Sequence, residues 1–326
     1  MERNVQVSLP VRKVLGALAA VFFLTGCGQT AELEHAYSFE SRMHSFEEEQ
    51  KNGFFEPFAA DLSVADDSQD DGTELTAGAA AVFGLDGGEA LFSRNAFERM
   101  NPASTTKVMT AIVALKYGVL SDLVTVTEDA VITETGSSMA GIKPKDVISL
   151  EDLLYGLLIP SGNDAANAIA VHVGGSIEGF VDMMNEEAKR LGATGTHFAN
   201  ANGLTDPDHY TTAYDLYLMF HEALTYEEFR TIIGAGAHTA IYRDGEGTEK
   251  TSTWTVGNYY MNGKRETPEG LTVFGGKTGT TQAAGYCLIM GSRTEDGKEF
   301  ASVIMDADSR DALYEDMTKI ITKIVK

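Results

Sequence analysis

The order of the predicted elements constrains the fold of this chain more than any other feature. Apolar runs bounded by turn residues predict one group of strands early in the chain and a second group late. These strands are predicted at 78–84, 89–93, 271–277, 284–290 and 299–305. The first two form a hairpin pattern around Asp86-Gly87-Gly88. Because both groups can join in one antiparallel sheet, the stretch between them is expected to be an insertion.

Helical patterns fill that insertion and end the chain. They are predicted at 104–117, 150–159, 164–173, 177–191 and 212–224, with a C-terminal amphipathic helix at 308–325. Ser149 and Asp152 resemble a capping box at the start of the second helix. No internal repeat interrupts the sequence, so one folded domain is predicted from residue 76 to residue 326.

The first 27 residues have the features of an export signal. Arg3, Arg12 and Lys13 form a positive region, and the apolar stretch 14–24 has signal-peptide length. It leads into Leu24-Thr25-Gly26-Cys27, which resembles the bacterial lipobox, whose cysteine is lipidated. We expect export and a lipid anchor on Cys27, at the outer face of the cytoplasmic membrane or in an outer membrane where the cell has one. A buried core helix and an ordinary cleaved signal are the alternatives.

Residues 28–75 are predicted to be an acidic tether. They contain 13 Asp and Glu residues against two basic ones, which accounts for about half of the chain's net charge of −23. Such a segment buries too little apolar surface to fold by itself and is expected to be disordered. The acidic balance of the chain also argues against nucleic acid as a partner, because phosphates require Lys and Arg.

The histidines and cysteines indicate neither a metal site nor a cofactor. Seven His residues lack metal-ligand spacing, and the two cysteines, Cys27 and Cys287, occur in unrelated settings. Cys287 lies in an apolar strand pattern and is expected to be a small buried side chain. No metal and no cofactor are therefore expected.

Three short motifs carry the candidate chemistry. Ser104-x-x-Lys107 places a hydroxyl and an amine on one face of the first predicted helix, beside its positive N-terminal end. Ser161-Gly162-Asn163 separates two helices, and Lys277-Thr278-Gly279 lies at the end of an apolar strand. Each motif is weak alone, since a Ser-x-x-Lys pair arises by chance and the second motif also fits a helix-ending turn. Their order, with each at an element end, is much more specific.

With these motifs the chain resembles the penicillin-binding proteins and serine β-lactamases, and most closely the low-molecular-mass D-alanyl-D-alanine carboxypeptidases. The matching stretches are 101–107, 160–165, 203–204, 212–215 and 276–280, within a resemblance that covers about residue 76 to the C-terminus. The resemblance implies an α+β fold, an α/β sandwich with a five-stranded antiparallel sheet flanked by N- and C-terminal helices. It also implies an inserted all-helical subdomain and a catalytic domain at 76–326.

The resemblance further implies a role for each motif. Ser104 would be the nucleophile, Lys107 its base once burial or a nearby cation lowers its pKa, and Ser161 the group that protonates the leaving amine. The backbone N–H groups of Ser104 and Thr280 would form the oxyanion hole. The substrate-binding residues would be Asn163, Lys277, Thr278, Gly279 and Thr280.

The expected substrates are peptidoglycan stem peptides that end in D-Ala-D-Ala, and β-lactam antibiotics would be covalent inhibitors. Arg310 fits either a ligand of the substrate carboxylate or an ordinary arginine at a helix start. The chain ends one helix after the sheet, where many relatives carry a further β-rich domain and a membrane helix. The lipid on Cys27 is therefore expected to replace that anchor.

Two other functions stay open. A class A-like serine β-lactamase requires a glutamate that activates the deacylating water, and the stretch 198–215 shows no motif of that kind. A catalytically silent cell-wall-binding protein would keep the fold without reacting at Ser104. A labelled penicillin would react with either enzyme but not with a silent wall-binding protein.

Overall fold

The structure, a computed structural model, describes residues 62–325. The predicted signal at 1–27 with Cys27, and the tether as far as residue 61, lie outside the described residues. The strands are β1 (Ser63–Val64), β2 (Ala79–Gly84), β3 (Gly88–Glu89), β4 (Phe92–Arg94), β5 (Leu123–Thr125), β6 (Val147–Ser149), β7 (Ala237–Arg243), β8 (Glu249–Thr255), β9 (Leu271–Thr281), β10 (Gly285–Thr294) and β11 (Glu299–Ala307). The α-helices are α1 (Lys107–Tyr117), α2 (Leu150–Leu158), α3 (Asn163–Gly174), α4 (Ile177–Arg190), α5 (Ala213–Ala223), α6 (Glu227–Gly234) and α7 (Arg310–Ile321).

The domain is built on the predicted five-stranded antiparallel sheet, in the order β4-β2-β11-β10-β9. Strand β2 shows why both faces of the sheet are covered. Ala79, Ala81 and Phe83 contribute to one apolar cluster, whereas Ala80 and Val82 contribute to the other. Helix α5 packs on the first face and the C-terminal helix α7 on the second. The α+β fold built on this sheet is confirmed.

The helix on the first face differs from the prediction. The sheet is predicted to be flanked by N- and C-terminal helices, but α5 comes from the middle of the chain. Within the described residues that precede β2, the chain forms only β1 and a 3-10 turn at Asp67–Gln69.

The insertion is not all-helical, and this prediction is wrong. It also contains a four-stranded antiparallel sheet in the order β5-β6-β7-β8. Strands β5 and β6 have three residues each, which is too short for a periodic signal. In β7 only Ala240 and Tyr242 are buried, so the polar hairpin carries little apolar pattern.

Residues 62–75, predicted as the end of the tether, lie against the domain instead. Strand β1 pairs in parallel with β3, and Asp70 receives two hydrogen bonds from Arg94. Lys323, at the end of the chain, forms an ion pair with Asp71. The predicted boundary at residue 75 is therefore wrong for this segment, because basic groups on the domain pair with the acidic run. Disorder of residues 28–61 stays a prediction.

Three further features concern membranes, metals and the thiol. Within residues 62–325, no helix combines the length and apolar character needed to span a bilayer. The same residues contain no group of three or more His, Cys, Asp or Glu side chains placed to hold a metal. Cys287 is fully buried in β10, as predicted, and burial raises the pKa of its thiol to about 12.

Candidate active site

Ser104 lies in a 3-10 turn, Ala103–Thr106, that runs directly into α1. The preceding Ala103 has a φ of +47°, a left-handed conformation that is strained for a residue with a side chain. Two glycines allow other backbone segments to press on this turn. A Cβ on Gly203 would lie 2.0 Å from the Ala103 carbonyl oxygen, and one on Gly279 would lie 2.9 Å from the Ser104 nitrogen. Close backbone packing therefore fixes the turn from two sides.

The amine of Lys107 is buried beside Ser104. Its Nζ lies 2.9 Å from Ser104 Oγ, 2.6 Å from Asn163 Oδ1 and 2.5 Å from the backbone oxygen of Asn202. Burial, and then the charge of Lys277, hold the pKa of Lys107 well below its usual range, although Asp164 acts in the opposite direction. Both effects favour the neutral form of this amine.

A neutral amine has two N–H bonds and one lone pair. Asn163 Oδ1 and the Asn202 carbonyl can only accept hydrogen bonds, so they take both N–H groups of Lys107. The remaining lone pair is then available to the Ser104 hydroxyl. The arrangement places a general base at the candidate nucleophile.

Ser161 and Lys277 form a second pair in the cleft. Lys277 Nζ lies 2.9 Å from Ser161 Oγ and 2.6 Å from the Thr278 carbonyl oxygen. Ser161 has a φ of +65° at the break between α2 and α3. Burial lowers the pKa of Lys277 to about 7. An arriving carboxylate would favour the charged form of this amine.

Asp164, next to Asn163 at the start of α3, fixes one wall of the cleft. Its carboxylate accepts the backbone N–H groups of residues 140–142 at 2.7 to 3.1 Å. The N–H of Asn163 donates to the Ser138 carbonyl at 2.9 Å. These bonds hold Ser138 in the cleft lining.

The edge strand β9 forms another wall. Lys277, Thr278 and Gly279 lie inside this strand and not at its end as predicted, because β9 continues to Thr281. Within the central sheet β9 pairs with β10 alone. Since Thr278, Gly279 and Thr280 line the cleft, the unpaired edge can bind an extended peptide by adding a strand.

The cleft has a volume of about 230 Å³. Tyr286, Leu313 and Tyr314 contribute rings and an aliphatic side chain to its lining. Arg310 begins α7 and also lines the cleft, so it lies where a carboxylate could reach it.

The structure brings the eight predicted catalytic and substrate-binding residues to this one place. Lys107, Asn163 and Lys277 are buried around it, and the cleft is lined by Ser104, Ser161, Thr278, Gly279 and Thr280. Sequence reasoning missed the roles of Asn202 and Gly203. Asn202 acts through its backbone carbonyl, which no side-chain pattern reveals, whereas Gly203 lies in one of the stretches that resemble the family but has no predicted role.

Comparisons with known proteins identify a family for this chain. The family model for D-alanyl-D-alanine carboxypeptidase, peptidase family S11, matches residues 64–309. The chain is 36% identical over 244 residues to D-alanyl-D-alanine carboxypeptidase DacC of Escherichia coli strain K12, covering 72% of this chain and 58% of the relative. It is 35% identical over 249 residues to DacF of Bacillus subtilis strain 168, covering 74% and 60%. The chain thus spans about three fifths of the length of these relatives.

A solved structure matches the fold as well. The crystal structure of the Streptomyces K15 DD-transpeptidase superposes with a TM-score of 0.71 at 30% sequence identity, covering 77% of this chain and 97% of that one. The family model extends over most of the described domain and includes all three motifs. The chain belongs to the D-alanyl-D-alanine carboxypeptidase family, which is a family of low-molecular-mass penicillin-binding proteins.

Proposed function

We propose that the protein is an exported serine carboxypeptidase that removes the terminal D-alanine from peptidoglycan stem peptides through an acyl-enzyme at Ser104. The observation that carries the proposal is the buried Lys107 amine: burial favours its neutral form, which has both N–H groups occupied and its lone pair left for Ser104. Among the described residues the hydrogen bonds of this buried amine go to uncharged oxygens, so it does not serve as half of a hydrogen-bonded ion pair.

Acylation begins with transfer of the Ser104 hydroxyl proton to Lys107. Ser104 Oγ forms a bond to the carbonyl carbon of the penultimate D-alanine, and the carbonyl oxygen becomes an oxyanion. The backbone N–H groups of Ser104 and Thr280 donate to that oxyanion. The peptide lies along β9 in this complex, in an extended conformation.

The bond to the terminal D-alanine then breaks. Its nitrogen takes the hydroxyl proton of Ser161, which regains a proton from Lys277 at 2.9 Å. Lys277, Thr278 and Arg310 bind the carboxylate of the leaving D-alanine, and Asn163 holds a substrate amide as well as Lys107. The oxygen of a water molecule then bonds to the acyl carbon as the bond to Ser104 Oγ breaks, and Ser104 takes back the proton held by Lys107. The two protons of that water go, through solvent, to Lys277 and to the amine of the released D-alanine, so the shortened peptide leaves as a carboxylate.

Release of D-alanine tests this function. The full-length chain, purified in detergent, should release D-alanine from an N-acylated peptide ending in L-Lys-D-Ala-D-Ala, and the isosteric variant Ser104→Ala should not. A circular dichroism melt shows that the variant is folded. Equal rates for the two proteins would refute the mechanism.

Penicillin should label the same serine. A β-lactam acylates Ser104 by the same chemistry, but its leaving group stays attached to the acyl group. No carboxylate occurs among the described residues that line the cleft, which supports slow hydrolysis of this adduct. A labelled peptide that contains Ser104 would support the carboxypeptidase. Rapid turnover of a chromogenic cephalosporin would instead indicate a β-lactamase. A folded protein that takes up no label would indicate a silent wall-binding protein.

We also propose that a lipid on Cys27 holds the enzyme on the outer face of the cytoplasmic membrane, or in the outer membrane of a cell that has one. The support is the lipobox-like sequence directly after the apolar stretch. Growth with a labelled fatty acid should label the wild-type protein and leave Cys27→Ser unlabelled. Equal labelling of both would exclude Cys27 as the attachment site.

A further inference from the structure

A buried histidine outside the three motifs is connected to the candidate nucleophile. His209 is 1% exposed and lies between α4 and α5. Its Nδ1 accepts the backbone N–H of Ala199 at 3.0 Å, so Nδ1 carries no proton and Nε2 does. Nε2 lies 2.8 Å from Thr106 Oγ1 and donates to it.

Thr106 extends this contact to the turn that carries Ser104. Its hydroxyl donates to the carbonyl oxygen of Ala103 at 2.7 Å. Hydrogen bonds therefore run in one direction from Ala199 through His209 and Thr106 to Ala103. Ala103 is the left-handed residue directly before Ser104, and Gly203 packs against the same carbonyl group.

This series of hydrogen bonds requires the imidazole of His209 to be neutral. Burial lowers the pKa of His209 to about 4, although the charge of Asp206 opposes this shift. Protonation would place a second N–H on Nδ1, facing the N–H of Ala199, and would break the first link. Through neutral pH the ring can therefore accept from the loop and donate to Thr106 at the same time.

We propose that His209 is a positioning residue for acylation, which holds the strained Ala103 peptide through Thr106 so that Ser104 stays aligned with Lys107. The same ring ties this turn to the loop that supplies the Asn202 carbonyl to Lys107. Both partners of the reacting pair thus depend on one side chain that touches neither of them. This inference rests on the proposed acyl-enzyme at Ser104.

Glutamine and asparagine at position 209 can each replace one of the two hydrogen bonds of the imidazole ring. In His209→Gln the terminal NH₂ can replace Nε2 as the donor to Thr106. In His209→Asn the carbonyl oxygen can replace Nδ1 as the acceptor for Ala199, but nothing reaches Thr106. For the full-length chain in detergent, the rate constant of acylation by labelled penicillin and the dissociation constant of the preceding complex are measured separately.

We expect His209→Asn to be acylated more slowly by about tenfold or more, with an unchanged dissociation constant, because a small misplacement of reacting groups costs rate and not binding. His209→Gln should recover most of the rate. Thr106→Val should match His209→Asn, Thr106→Ser should remain close to wild type, and the double variant His209→Asn/Thr106→Val should be no slower than either single variant. The Thr106 pair tests the same link if the His209 variants do not fold.

His197→Asn is the matched control. His197 lies in the same loop, is exposed, and bonds the Asp208 carbonyl, which is not part of the chain of bonds to Ser104. Its acylation rate should equal that of the wild type. Folded His209→Asn or Thr106→Val that reacts within about twofold of the wild type, or equal rates for the Gln and Asn variants, would overturn the positioning role. A wild-type chain that is not acylated would instead overturn the proposed function, and this inference with it.

Discussion

Lys277 Nζ lies 2.9 Å from the hydroxyl of Ser161, and the lysine is almost fully buried. The hydrogen bonds of this amine within the described domain go to uncharged oxygens, those of Ser161 and Thr278. A buried ammonium without an opposite charge is unfavourable, which is why the pKa of Lys277 is lowered to about 7. The pair is therefore able to take up a proton when a carboxylate binds and to supply one when the amine leaves.

The lowered pKa of Lys277 predicts that kcat/KM for substrates with a terminal carboxylate falls at alkaline pH. In the free protein Lys277 is charged below pH 7 and neutral above it, so an incoming carboxylate loses its partner as the pH rises. We expect kcat/KM for a D-Ala-D-Ala peptide to fall by about tenfold per pH unit on the alkaline side of pH 7, since kcat/KM reports the pKa values of the free enzyme. Initial rates of D-alanine release between pH 5.5 and 9.5 measure this limb.

Lys277→Arg provides the control, because a guanidinium stays protonated throughout that pH range. The variant should be slower at its optimum but should show no alkaline decline in kcat/KM. An unchanged decline in the variant would assign this limb to another group.

Lys107 should be irreplaceable by a permanent cation. Arginine cannot accept the Ser104 proton, so Lys107→Arg should lower the acylation rate by about 10²- to 10⁴-fold, the usual contribution of a general base. Lys116→Arg is the matched control on the same helix, since Lys116 pairs with Glu187 outside the cleft. Stopped-flow acylation by a fluorescent penicillin measures both variants. A Lys107→Arg protein that reacts at the Lys116→Arg rate would exclude Lys107 as the base.

The side chains of the site could be predicted from the sequence, but their supports could not. Ser104 and Lys107 are one helical turn apart, so their proximity follows from helix geometry. Asn202 bonds Lys107 through its carbonyl oxygen, and Ala103 matters through its backbone angle. Neither property depends on residue type in a way that a motif can show.

Some elements of the fold could likewise be predicted from the sequence, and others could not. Strand β2 buries alternate residues on two apolar faces, and such a pattern is visible in the sequence. Strands β7 and β8 form a polar hairpin that is held by its own backbone pairing and buries few side chains. Its sequence therefore lacks the apolar alternation that predicts strands. The acidic composition around Asp70 and Asp71 predicts disorder. Their basic partners, Arg94 and Lys323, are distant in the sequence, so a local pattern does not reveal that the segment is held.

The close contact between β9 and the turn of Ser104 predicts a loss in Gly279→Ala. The added methyl would lie 2.9 to 3.0 Å from three backbone atoms of residues 102–105, none of which can rotate away. We expect stability to fall by about 1–3 kcal/mol, as in other overpacked sites, and acylation to slow by more than the unfolded fraction explains. Gly236→Ala is the control, since its Cβ meets no atom within 4 Å and its φ is not positive. Urea unfolding and penicillin labelling measure both effects, and a fully active, stable Gly279→Ala would show that β9 can move away.

The entry of the chain into the sheet depends on a buried carboxylate in α7. Asp316 is 1% exposed and accepts the backbone N–H groups of Thr76 and Ala77 together with the Thr76 hydroxyl. Asp316→Ala leaves those donors without an acceptor, so we expect the free energy of unfolding to fall by about 2–3 kcal/mol, while the acylation rate of the folded protein stays unchanged. Glu315→Ala, at an exposed neighbouring position, should change stability by less than about 0.5 kcal/mol. Urea titration compares the two variants, and an Asp316→Ala protein as stable as Glu315→Ala would show that the segment before β2 is held by its other contacts.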